Sequence, residues 1–177
     1  MLGDFSDATF EYFGAVTRFL ERDGQHVVQT AGAHGEPAEY PVKYTFGVEP
    51  LQQYLVELPR GRLQALPFAW DSRPEGEGGK RWFHLYPHEQ ITPGDPLFWT
   101  GRDQNWNYMC AECHSTQLTL GYDPASDSFD TTWQEMDVAC EACHGPASAH
   151  VAQAEHGQFD ASTACRSNST IAAVRAG

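Results

Sequence analysis

The sequence predicts an α+β chain, with a β-rich antiparallel meander in the N-terminal half and a segment of short helices and loops after it. Three observations predict it. Strand-length hydrophobic runs recur from about Ala8 to Pro87, with turn residues between them and little helical periodicity. The character of the chain shifts after Pro96, where the strand-like alternation stops. A pentapeptide then occurs twice, as Cys110-Ala111-Glu112-Cys113-His114 and as Cys140-Glu141-Ala142-Cys143-His144. The chain divides accordingly into a scaffold over residues 1–96, a motif-bearing segment over 97–160, and a small, polar tail over 161–177 that is expected to lack order.

The elements follow in order. Val16 to Leu20 runs into Glu21-Arg22-Asp23-Gly24, and Asp-Gly is a strong hairpin signal because both turn positions need positive φ. Val27 to Thr30 continues as a β-rich run, and the glycines and proline of Ala31 to Pro37 mark a loop. Tyr40 to Phe46 alternates apolar and polar residues, and Leu51 to Leu58 supplies a further strand. Pro59-Arg60-Gly61 connects it to Leu63 to Trp70. A polar, glycine-rich loop from Asp71 to Lys80 leads to the aromatic run Arg81-Trp82-Phe83-His84-Leu85-Tyr86, giving about six strands. Beyond the second pentapeptide, Gly145-Pro146 stops the turn and Ala147 to His156 reads as a short helix closed by Gly157.

Composition excludes several classes. The chain has 177 residues, enough to bury a sizeable core. A formal charge of −13 leaves little to neutralise a run of phosphates, which argues against nucleic acid. The hydrophobic share of 41% and aromatic share of 12% are too high for a disordered acidic tail. No apolar run approaches the roughly 20 residues of a membrane-spanning helix. The first residues, Met1-Leu2-Gly3-Asp4-Phe5, lack the basic and apolar regions of a signal peptide. Five cysteines is an odd count, so a pure disulfide framework would leave one thiol over.

Cys-x-x-Cys-His is the attachment sequence of a c-type haem. Two thiols on one turn of chain can add to the two vinyl groups of a porphyrin edge, and the following histidine is then held over the ring centre to ligate iron. Cys110 and Cys113 would anchor a first haem with His114 as proximal ligand, and Cys140 and Cys143 a second with His144. The competing readings are a four-thiolate zinc site and a disulfide pair. Zinc leaves unexplained a histidine after both pairs. Thioredoxin-like chemistry would need a parallel βαβ context, which the meander lacks.

A haem iron has a sixth position. His150, six residues after His144 and on the predicted helix, could supply a distal ligand, and so could His84 in its aromatic strand. His88 follows Pro87 in a turn, while His26 and His34 sit in or near hairpin loops and read as surface residues. Met109 and Met136 are awkwardly placed for the haem beside each, so bis-histidine or open-site iron is expected. Trp99, Trp106, Tyr108 and Trp133 could offer apolar faces to a porphyrin. Cys165 stands alone in the tail without a partner motif.

Several stretches together resemble a family of multihaem c-type cytochromes with doubled Cys-x-x-Cys-His motifs, in which the haem region is often followed by tetratricopeptide repeats. They are Phe46 to Tyr54, Gly61 to Leu66, Ala69-Trp70-Asp71, Gly79 to Pro87, Asn105 to Cys110, and Cys140 to Pro146 with His150 beyond. The resemblance covers roughly residues 8–157. It implies two haem c groups with their iron, and an electron carrier of the periplasm or cell exterior, loaded with haem after export. Its partners would be redox proteins or further haem domains of a longer cytochrome, of which this chain is expected to be a fragment. Cys-Glu-Ala-Cys-His-Gly-Pro with a later histidine is also similar to sites in nitrite- and hydroxylamine-processing multihaem enzymes, where that histidine serves a different haem; this favours His150 as a distal ligand. It also keeps open a second function, an oxidoreductase acting on a small nitrogen or sulfur compound at an open iron. A zinc-stabilised structural module is the third.

Overall fold

The computed structural model describes residues 1–157. Seven strands follow one another across a single antiparallel sheet: β1 (Ala8–Tyr12), β2 (Ala15–Arg22), β3 (Gln25–Ala31), β4 (Pro37–Phe46), β5 (Leu51–Leu58), β6 (Arg62–Asp71) and β7 (Arg81–His84). The motif-bearing part holds only short pieces: α1 (Trp106–Met109), α2 (Ala111–His114), the small hairpin β8 (Tyr122–Asp123) and β9 (Ser128–Phe129), α3 (Cys140–His144) and α4 (Ser148–Glu155). A β-rich sheet with a few short helices is the α+β class the sequence predicts. The expected tail, with Cys165, lies outside the described residues.

The Asp23-Gly24 turn forms as expected, with φ of 52° and 78° joining β2 to β3. β1 is an addition to the six expected strands. It pairs with β2 from Ala8↔Phe19 to Tyr12↔Ala15, around a turn in which Phe13 and Gly14 both take positive φ, 46° and 81°. Phenylalanine carries no turn signal, so the hairpin hides inside one apparent run.

β6 is buried along nearly its whole length because it has a core on each face. Leu66, Phe68 and Trp70 join Phe19, Val28 and Tyr54 on one side, while Leu63 and Ala65 join Leu55 and Trp106 on the other. Pro67 falls where the β5 register shifts between Gln53 and Leu55, and its carbonyl accepts the Leu85 N–H (2.9 Å) just beyond the point where β7 pairing stops. At the centre of the larger core Trp82 stacks on Phe19, with centroids 3.6 Å apart and planes within 2°. Phe5 meets both edge-on, and the chain before it is tied by Gly3 N–H donating to the Tyr54 hydroxyl (3.0 Å). A β-carbon at Gly3 would collide with that hydroxyl and with the Trp82 ring.

The sheet curls until its two edge strands meet through side chains. Tyr12 of β1 stacks on His84 of β7 at 3.6 Å and 5°, and its hydroxyl donates to the Tyr86 carbonyl (3.0 Å). His84 is buried against Phe68, and its Nδ1 accepts the Tyr86 N–H at 3.0 Å. Burial lowers its pKa from 6.5 to about 4. Between those values the unfolded chain binds a proton that the folded sheet excludes. The stability His84 contributes is therefore complete above pH 6.5 and is lost as pH falls towards 4. His84→Asn keeps an acceptor for Tyr86 and should flatten this region of the profile. The Tm drop between about pH 7 and about pH 5, followed by circular dichroism, is expected to be smaller in the variant than in the parent.

Candidate functional site

β7 pairs with β6 only from Phe68 to Asp71, so the first half of that β6 edge lies open to the segment that follows. Asn105 takes the place of a strand there as an isolated bridge opposite Gln64. Its side-chain amide donates to Gln64 Oε1 (2.9 Å), and its Oδ1 caps α1 by accepting the Tyr108 N–H (3.1 Å). Asn107, also buried, accepts the Leu63 N–H at 2.7 Å and donates to the Gly61 carbonyl (3.2 Å) and to Thr131 Oγ1 (2.9 Å). Gln64 completes the set by donating to the carbonyls of Trp99 (2.8 Å) and Gly101 (2.9 Å). Every one of these amides is shielded from water, where an unmet partner is costly.

The first pentapeptide hangs from this junction. Trp106 is fully buried between the sheet and Trp133, at 5.2 Å and 70°. The Cys113 and His114 N–H groups both donate to the Cys110 carbonyl at 3.1 Å, closing one helical turn that carries Cys110, Cys113 and His114. Ala111 is fully buried against the smaller core, and the turn presents Glu112, Cys113 and His114 outward. Cys113 is exposed, while Cys110 is half-buried with its thiol pKa raised by burial and by Cys113. The His114 ring meets Phe46 of β4 edge-on at 5.6 Å.

The second pentapeptide forms α3 on the same pattern but is held differently. Glu141 occupies the position that Ala111 has in the first. Its carboxylate accepts the Ala147 N–H (2.9 Å) and the Gln117 side-chain amide (3.3 Å). Cys140 and Cys143 are exposed free thiols, and neither α3 nor α4 contains a buried residue. His150 sits half-buried on α4. His84 sits in β7, engaged with Tyr12 and the Tyr86 backbone.

Among the described residues, no three side chains of His, Cys, Asp or Glu gather at one point as a metal site requires, so the four thiols form two separate pairs. Uncovered apolar surface lies beside them, with Tyr108 70%, Met109 54%, Val138 57% and Val151 50% exposed. A porphyrin bonded through both thiols of a pair would fit such a turn and cover apolar surface that otherwise faces water. The sequence does not announce Asn107, Gln64 or Thr116, whose partners lie far along the chain; only Asn105, just before a helical run, carries a local capping signal.

Each pentapeptide thus forms a one-turn helix carrying two thiols and an adjacent histidine. Residues 96–145 match the family model described as cytochrome c554 and c-prime, so this segment is similar to c-type cytochromes. The match opens where the β meander has ended and closes just past His144. No curated protein and no solved structure matches the chain.

Replacing Asn107 with Ala would leave the Leu63 N–H and the Gly61 carbonyl without their buried partner. The loss should be on the order of 2–3 kcal/mol, read from urea unfolding, with the slope of the transition unchanged.

Proposed function

We propose that the chain is an electron-transfer segment of a multihaem c-type cytochrome carrying two covalently attached haem c groups. The observation that supports this best is the pairing of the thiols. Each Cys-x-x-Cys-His closes on its own turn, the two pairs remain apart, and a histidine stands at the end of each. A four-thiolate zinc site would need the pairs to converge. In this reading Cys110 and Cys113 hold the first group, and Cys140 and Cys143 the second. His114 and His144 are the proximal iron ligands and His150 a distal ligand. His84 is the weaker distal candidate, because its ring is committed to the Tyr12 stack. Bound haem supplies an iron that takes up and releases one electron. The protein orients it: Phe46 limits rotation of the His114 ring, and Trp106 and Trp133 keep water from the sheet side of the first turn.

Haem attachment of this type follows export, so the chain works outside the cytoplasm, in the periplasm or at the cell exterior. Its electron donor and acceptor are redox proteins or further haem domains.

The full chain, exported alongside haem-maturation machinery, should give an intact mass raised by two haems and a c-type pyridine haemochrome band. Converting Cys110 and Cys113 to Ala should remove one haem, and converting Cys140 and Cys143 should remove the other. A chain with no haem band and stoichiometric zinc would refute the proposal. Carbon monoxide or cyanide binding to either iron would instead favour the oxidoreductase reading, since an electron carrier with both axial positions filled resists them.

A further inference from the structure

We infer that Thr116 is a positioning residue whose hydroxyl sets the placement of the second haem relative to the first; this rests on the dihaem reading above. Thr116 lies two residues past His114 and is almost completely buried. All of its hydrogen-bonding groups engage the segment that leads into Cys140. Its N–H donates to the Glu135 carbonyl and its carbonyl accepts the Gln134 N–H, both at 2.9 Å. These backbone bonds stop at residue 135. The hydroxyl reaches further, donating to the Asp137 carbonyl at 2.8 Å and accepting the Ala139 N–H at 2.9 Å. Ala139 is the N-cap residue of α3, immediately before Cys140. One side-chain oxygen thus joins the exit of the first pentapeptide to the start of the second.

The loop between the motifs is anchored at its far end, where Phe129 N–H donates to the Arg60 carbonyl (2.9 Å) and Asn107 reaches Thr131. Those ties hold the β8–β9 hairpin to the sheet, and Met136 packs against the smaller core; beyond Met136, the Thr116 hydroxyl ties residues 137 and 139 to the exit of the first motif. α3 and α4 contain no fully buried residue. The contact between Gln117 and Glu141, at 3.3 Å, is exposed and weak. Removing the hydroxyl therefore loosens the start of the second motif while the first stays on β6.

Thr116→Val keeps the branched shape and deletes both side-chain bonds. Ala139→Pro is the complementary change: φ at Ala139 is −74°, close to the value proline imposes, so this substitution chiefly removes the N–H that the hydroxyl accepts. Thr116→Ser restores the oxygen. Each is made in the exported full chain, and haems are counted by intact mass. The split Soret circular dichroism couplet, which depends on the distance and orientation between two haems, is recorded together with the two reduction steps of a redox titration.

Thr116→Val and Ala139→Pro should each retain two haems, lose the couplet and alter the separation of the reduction steps, while Thr116→Ser keeps the parent's signature. Should Thr116→Val fail to fold, Ala139→Pro decides. A parent couplet preserved in a two-haem variant overturns the inference, as does a parent with two haems and no couplet. A parent with fewer than two haems defeats the dihaem reading itself, and the inference with it.

Discussion

The open half of the β6 edge is the constraint on which the motif-bearing segment depends. A strand edge with unpaired N–H and carbonyl groups must be covered or solvated, and this one cannot be solvated because β6 is buried on both faces. β7 covers only its later part. Asn105 and Asn107 cover the rest, one as a bridge partner opposite Gln64 and one by accepting the Leu63 N–H through its side chain. The residues that satisfy the sheet also start α1 and aim the chain into Cys110. Sheet completion and placement of the first pentapeptide are therefore one event. That coupling explains why a β meander precedes the cytochrome-like segment at all: it supplies a rigid edge from which a single helical turn can be hung.

Local chemistry made part of this legible in the sequence. Asp23-Gly24 announces its turn because only such residues take positive φ cheaply, and the doubled pentapeptide is legible because thioether attachment requires that spacing. Phe13-Gly14 was hidden, since the backbone there is held by pairing rather than by residue preference. β6 reads as a hydrophobic run without saying which core each face meets. The least legible features are long-range. Asn107 reaches residues 61, 63 and 131, and Thr116 reaches 137 and 139, and no local pattern encodes such partners. Even the pentapeptides hid a difference: exchanging Ala and Glu between their inner positions turns a core contact into a surface tether.

Charge is unevenly spread along the chain. Between residues 96 and 157 the only Lys or Arg is Arg102, set against Glu112, Asp123, Asp130, Glu135, Asp137, Glu141 and others, while the meander carries most of the basic residues. Asp127 is neutralised from the meander, by Arg60 and Arg62 at the β5–β6 turn. For the proposed dihaem segment, the remaining field favours the oxidised, more positive iron and attracts basic redox partners at low ionic strength.

The two pentapeptides differ in what holds them, and this bears on how each could serve electron transfer. The first has Ala111 in a packed core, Trp106 behind it and a buried amide network beneath it. The second has no fully buried residue on α3 or α4, and hydrogen bonds through Thr116 and Glu141 are among its ties. A ligand held by close packing shifts little when the charge on its metal changes, whereas one held by a few polar tethers can relax. In the proposed cytochrome the first site is thus the stiffer, fixed relative to the sheet. The second must gain its rigidity from the apolar surface its own haem would bury, or from whatever further protein covers Val138 and Val151.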